Sequence, residues 1–337
     1  MVSPGRSQDQ KSGLKDRKSL AARQKRRRGG RSRLSVTSSG RRRGLQCAIL
    51  SAVVALLLLV VCSAMLLAVD VNKKLWTIDD DWHASLVWLR ENTPEPFGDA
   101  DFYYAKYEPP PQGKDYDYPA SSYGVMSWAD YGHWITTIAR RIPNSSPLQA
   151  GLKPTGSFFT AQDEPSADEI LDKLGSKYVI MDWSIALQRF GVLAVAAGKD
   201  PRDFSEVYYQ RNQNGVFAPV TVFYPEYYRS MYIRLYFFKG RAATPDESTL
   251  VISYRQHGNG LKEITSTQLF ATYEEALDYM EGQSSPTSRI VGFDPSLSPV
   301  PLERLDHYSL VYQSPSTILQ LADERISYVE IFEYGTP

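Results

Sequence analysis

Two stretches decide how this chain folds: residues 123–135, YGVMSWADYGHWI, and residues 177–185, KYVIMDWSI. In the first, a short apolar run from Tyr123 to Trp128 meets Asp130-Tyr131-Gly132. The segment His133 to Ile142 then carries Trp134, Ile135, Ile138 and Ile142 at helical spacing. That pattern predicts strand, turn, helix. In the second, the Tyr-Val-Ile core reads as a buried strand that ends at Asp182, where a new helix begins and runs to near Gly198. A helix over Ser166 to Leu174, closed by Gly175, joins the two. Strands alternating with helices predict an α/β fold with a partly parallel sheet, and in such sheets ligands bind outside the carboxyl ends of the strands. Asp130 and Asp182 both stand at such ends.

Asp182, Ile185 and Arg189 are three and four residues apart, which places an acid, an aliphatic side chain and a cation on one stripe of the second helix. Spacing alone leaves their roles open. Asp182 is equally readable as a helix N-cap, Ile185 as a core residue and Asp130 as a turn-forming Asx residue ahead of Gly132.

Outward from this centre the 337 residues divide sharply. The chain has no net charge, yet residues 1–44 hold 15 of the 38 Lys and Arg and only two acids, Asp9 and Asp16. This arm lacks aromatics altogether and is rich in Ser, Gly and Arg, so it should not fold on its own. Without aromatics for base stacking, it reads as a topology signal and not as a nucleic-acid binder. Leu45 to Val69 follows with no charged residue, about 37 Å as a helix, enough to span a bilayer with tilt. The basic flank places the N-terminus in the cytoplasm and residues 70–337 outside, as a single-pass membrane protein with an extracellular α/β domain. Both cysteines, Cys47 and Cys62, lie in the apolar segment, which excludes a disulfide scaffold or a cysteine-ligated zinc site beyond it. Next, Thr77 with Asp80 fits a capping box ahead of Trp82, Leu86 and Leu89 at helical spacing, and Pro94 and Pro96 close that helix. Residues 103–122, with their tyrosines and prolines, read as an exposed loop. The histidines, at 83, 133, 257 and 307, show no metal-ligand spacing.

The string Ser127-Trp128-Ala129-Asp130-Tyr131-Gly132 resembles the Trp-Trp-Asp-Tyr-Gly signature of the catalytic subunit of oligosaccharyltransferase, most closely its archaeal form. Residues 82–96 (WHASLVWLRENTPEP) look like the opening of that family's C-terminal globular domain. Residues 227–242 (YYRSMYIRLYFFKGRA) and 306–315 (DHYSLVYQSP) look like its later blocks, in the family's order. The resemblance covers about residues 75–337. It implies that Trp128, Asp130, Tyr131 and Gly132 form part of a pocket for the Ser or Thr of an Asn-x-Ser/Thr sequon. Asp182 and Ile185 resemble the family's second element, Ile185 touching the Thr methyl, and Arg189 stands where some variants carry Lys.

Ala129 departs from the signature, replacing the second Trp and its indole donor. The family's catalytic carboxylates, its divalent cation (Mn or Mg) and its lipid-linked oligosaccharide site belong to a membrane module of many helices, whereas this chain has one apolar span. The resemblance therefore implies a sequon-recognition domain with no catalytic or metal-binding residue of its own, inactive without a multi-span membrane partner. The competing expectation is a non-enzymatic, membrane-anchored peptide-binding module or a decayed remnant.

Overall fold

The computed structural model describes residues 48–65 and then 78–335, apart from residues 100–101, 103–107, 109, 113–115, 212–214, 246–248, 283–286 and 322–323. The basic arm, Thr77 and part of the expected loop over 103–122 lie outside the described residues.

Residues 1–77 and 78–337 are separate units. In the first, helix α1 (Ala48–Met65) has a mean hydropathy of 2.8 and is long and apolar enough to cross a membrane. At 1.5 Å per residue it is about 27 Å long.

The second unit is mixed α/β. Its helix α2 (Asp80–Asn92) buries Trp82, Leu86 and Leu89 as the spacing predicts. The cap differs from the expected Thr77–Asp80 box: the N-cap is Asp79, whose carboxylate accepts the Trp82 backbone N–H at 2.7 Å. Asp80 and Asp81 then fall in the first turn, where the helix dipole favours them.

A five-stranded sheet follows the order β2 (Ile142–Pro143), β1 (Gly124–Met126), β3 (Ser176–Asp182), β12 (Val329–Tyr334), β9 (Tyr308–Gln313). Its first three strands are parallel, and β12 runs antiparallel to β3 and β9. Five of the seven residues of β3 in succession, Tyr178 to Asp182, are buried, because this central strand is covered on both faces. A second five-stranded sheet has the order β5 (Phe217–Phe223), β4 (Ser205–Arg211), β7 (Lys262–Phe270), β6 (Thr249–Gln256), β8 (Ser288–Val291). Its own small core is built on Tyr208, Val222, Tyr224, Ile252, Ile264 and Val291. A ribbon of β10 (Thr317–Gln320) and β11 (Arg325–Ser327) stands apart from both sheets.

The helices that place the site lie between these strands. After β1, residues 129–139 form α3, which changes pitch from a 3₁₀ turn (Ala129–Tyr131) to a π-helical turn (Ile135–Ala139) and ends at Arg140 in a left-handed conformation. The single helix expected over His133 to Ile142 is therefore corrected: Ile142 belongs to β2, opposite Gly124. Helix α4 (Leu152–Phe159) precedes α5 (Glu164–Lys173), capped by Asp163, whose carboxylate accepts the Ser166 N–H. Gly175, at φ +58°, turns the chain from α5 into β3. Helix α6 (Ile185–Ala197) opens with a π-helical turn over Ile185–Arg189 and closes at Gly198, φ +79°, close to its expected end. Short helices α7 (Pro225–Arg229) and α8 (Met231–Tyr236) carry the tyrosine-rich segment through the main core, and α9 (Tyr273–Gly282) packs on the second sheet.

Candidate functional site

The loops after β1 and β3 converge because those strands are parallel neighbours, so Asp130 and Asp182 arrive at the same edge of the sheet. Their environments are opposite. Asp182 is 1% exposed. Its Oδ1 accepts the Ile185 backbone N–H at 2.8 Å, which is the N-cap reading of this residue. Its Oδ2 accepts the Trp82 indole N–H at 3.3 Å. The Tyr232 hydroxyl accepts the Asp182 N–H and donates to the Asp182 carbonyl, both at 2.9 Å, which locks the strand end. Burial pushes the Asp182 carboxyl above its usual range, opposed by donation from the Tyr131 hydroxyl, the Ile185 N–H and Trp82 and by the nearby Arg189 charge.

Tyr131 joins the two acids. It is buried, its ring centroid lies 4.0 Å from that of Trp82, and Trp134 stacks on Tyr131 at 5.6 Å and meets Trp82 edge-on at 5.9 Å. Burial first, and then the Asp182 charge, holds its phenol far above the ordinary range, so Tyr131 remains a neutral donor. Arg189 donates from Nη2 to the Tyr131 oxygen at 3.1 Å and from Nη1 to Asp130 Oδ2 at 3.0 Å. A polar chain therefore runs from Asp130 through Arg189 and Tyr131 to Asp182 and Trp82.

Asp130 ends this chain in solvent, its side chain 52% exposed. One oxygen holds Arg189 and the other forms no hydrogen bond to the described residues, which leaves an acceptor open at the surface. Gly132 is required by close approach: a Cβ there would stand 2.4 Å from the Ser145 carbonyl oxygen, a backbone atom that cannot swing aside. Trp128 is half-buried, and its Nε1 is buried without a hydrogen-bond partner among the described residues. With Arg189, Leu152, Val192, Val195 and Pro201 it lines an apolar groove of about 500 Å³. Ile185 lies wholly inside the main core.

Of the residues singled out in the sequence, Asp130, Tyr131, Asp182 and Arg189 thus form one hydrogen-bonded set, with Trp128 and Gly132 beside it and Ile185 beneath it. Trp82 and Tyr232 were missed as site residues. Their sequence signal is that of ordinary core aromatics, and they lie 100 and 50 residues from Asp182, whose carboxylate Trp82 reaches and whose backbone Tyr232 holds.

The arrangement suits binding more than bond making. Its buried acid is saturated with donors, and its exposed acid is half neutralised by Arg189. A divalent cation fits none of this set. Among the described residues one other cluster, Glu164, Asp168 and His307, brings three possible ligands together. It is tied together by hydrogen bonds: the Asp168 oxygens hold His307 Nδ1 at 2.6 Å and the Tyr308 hydroxyl at 2.7 Å, and Glu164 Oε1 accepts two backbone N–H groups.

Residues 79–186 match the AglB core domain family. The chain is 32% identical over 272 residues to the dolichyl-monophosphooligosaccharide–protein glycotransferase AglB of Haloferax volcanii, covering 71% of this chain and 25% of that protein. It is 32% identical over 185 residues to dolichyl-phosphooligosaccharide–protein glycotransferase 3 of Archaeoglobus fulgidus, covering 47% of this chain and 21% of the relative. It therefore spans about a quarter or less of the length of these relatives. A solved oligosaccharyltransferase of Archaeoglobus fulgidus, tethered with an acceptor peptide containing the NVT sequon, aligns at 23% identity and a TM-score of 0.47, covering 76% of this chain and 33% of that one. The C-terminal globular domain of an oligosaccharyltransferase from the same organism aligns at 18% identity and a TM-score of 0.38, covering 77% and 99%. Residues 79–186 of this chain are therefore an AglB core-like domain, and the chain is homologous to AglB over a quarter of that protein's length.

Proposed function

We propose that residues 70–337 form the acceptor-recognition domain of an oligosaccharyltransferase, which holds the Ser or Thr hydroxyl of an Asn-x-Ser/Thr sequon and takes part in protein N-glycosylation. The observation that carries this reading is the open oxygen of Asp130, an acceptor held in place by Arg189 and backed by Tyr131 and Asp182. A peptide hydroxyl would donate to that oxygen in a charge-assisted hydrogen bond. Trp128, alongside, carries the one indole N–H of the local signature, and its lack of a partner suits it to donate once the loop adjusts to a peptide.

In this reading α1 is a single membrane anchor with the basic arm in the cytoplasm and the domain outside. Glycan transfer needs a multi-span membrane partner to supply the divalent cation and to hold the lipid-linked donor. This chain's own residues would hold and orient the acceptor and perform no bond making.

The test compares Asn-x-Thr with Asn-x-Val peptides by calorimetry on the full-length chain in detergent, before and after Asp130→Asn. The hydroxyl peptide should bind more tightly by about 1 to 3 kcal/mol, and the variant should lose that preference. Equal affinities in the unmodified chain would overturn the proposal. Arg189's hold on Asp130 and the missing indole at Ala129 favour a second reading, a membrane-anchored peptide-binding module that never supports transfer. Co-purification of a multi-span subunit that gains transferase activity on addition of this chain would exclude it.

A further inference from the structure

The tyrosine-rich segment 227–242 carries two arginines that the site above does not use. Arg229 and Arg234 line a cavity of about 360 Å³ beside the start of α5, together with Asp163, Glu164, Glu303 and Arg304. None of these residues belongs to the Asp130 network.

Two buried arginines in this domain can be compared. Arg141, 1% exposed, is fully used: Nε donates to Thr93 Oγ1, Nη1 to the Ala139 and Arg140 carbonyls, and Nη2 to the Arg90 and Thr93 carbonyls. It is a structural clamp. Arg234, 6% exposed, is not: Nη2 donates to the Glu303 carbonyl at 2.8 Å, Nε is buried without a partner, and Nη1 forms no hydrogen bond to the described residues. Glu164, Glu303 and Asp163 act on its charge only at longer range. A buried guanidinium without a counter-ion is costly, and this one faces a cavity.

The nearby acids are committed elsewhere or stand on the rim. Asp163 caps α5, Glu164 accepts the backbone N–H groups of Asp306 and His307, and Asp306 lies 3.7 Å from the exposed Arg304. They repel a multiply charged anion, yet they offer acceptors to any hydroxyl or ammonium group that enters.

We infer that this cavity binds a small, singly charged carboxylate that also carries hydroxyl or ammonium donors. The guanidinium of Arg234 takes the carboxylate, with Arg229 and Arg304 adding positive charge at the mouth, and the rim acids accept the ligand's donors.

Calorimetric titration of the full-length chain in detergent with acetate, glycerate, glycine and phosphate tests this. Glycerate and glycine should bind most tightly, acetate more weakly because it lacks donors, and phosphate most weakly. Arg234→Gln should abolish binding of all four. Arg304→Gln, on the exposed rim, should weaken glycerate binding about threefold, and Glu303→Gln should narrow the gap between glycerate and phosphate by a similar factor. If Arg234→Gln does not fold, the two rim variants carry the test. The inference is overturned if no probe gives saturable heat, if phosphate outcompetes glycerate, or if both rim variants titrate like the parent.

Discussion

The first sheet has a carboxylate cluster at each of its two edges, and the two are built on different principles. At the edge where β1 and β3 end, Asp182 is buried and saturated while Asp130 is exposed and keeps an oxygen free. At the opposite edge, where Tyr308 of β9 pairs with Tyr334 of β12, Asp168 and Glu164 of α5 spend their oxygens on His307, on Tyr308 and on backbone N–H groups. Tyr334 adds a bond to Asp172. The second cluster staples a helix to a sheet; the first presents an acceptor to solvent. Both clusters pair carboxylates with tyrosine, and they differ in that Asp130 stands open to solvent beside a cation.

The two edges should also fail differently, because the carboxyl edge rests on buried charge. Opposite Met181 on the sheet, Glu330 is fully buried and pairs with Lys239, itself 5% exposed. The carboxylate also accepts the Ser327 N–H and a Gln313 Nε2–H. Lys239→Met would strand this charge and should destabilise the domain by about 3 to 5 kcal/mol. The double change with Glu330→Met should recover most of the loss. Denaturant unfolding followed by tryptophan fluorescence measures both, since Trp82, Trp128, Trp134 and Trp183 surround this edge. A single variant with parental stability would mean the pair is not buried in solution.

Ala129 offers a smaller and sharper probe of the same edge. If the position were an empty wall of the family's pocket, Ala129→Trp would restore an indole donor and tighten Asn-x-Thr binding. Ala129 is only 2% exposed, however, and its neighbours have closed over it. The substitution should therefore overpack the turn, lowering stability by about 1 to 3 kcal/mol without a gain in peptide affinity. Measuring melting temperature and affinity on one sample separates these outcomes, and tighter binding at unchanged melting temperature would show that the wall is vacant after all.

What could be read in advance divides along similar physical lines. The strand at 177–181, the α5 region closed by Gly175 and the helix ending near Gly198 were legible because each is a local pattern of apolar period and stop signal. The meeting of Asp130 with Asp182 was legible because parallel strands bring their carboxyl ends together. Ile142 was misassigned because its helical spacing was outweighed by pairing with β1, a tertiary effect that no window on the sequence contains. The second sheet went unread because its strands alternate weakly, with β7 mostly exposed. His307 showed no partner because Asp168 lies 139 residues away, so spacing rules had nothing to find.

The amino-edge cluster gives the smallest predicted effect and the one with a pH signature. His307 donates to Asp168, and this bond, with the nearby charges of Asp168, Glu164 and Asp306, raises the imidazole above its ordinary 6.5 despite some desolvation. The folded chain then holds the proton more tightly than the unfolded chain. The contribution to stability is fully present below pH 6.5 and is lost as pH rises through the higher folded value. The His307 side chain is 36% exposed, so solvent screens the pair and the effect is modest. In His307→Gln, stability should lose this component of its pH dependence, matching the parent most closely at alkaline pH and falling short of it at acid pH. Unfolding midpoints of both proteins across that range test the sign: a deficit that grows toward high pH would mean His307 is neutral in the folded chain, and the amino edge would then need another explanation for its order.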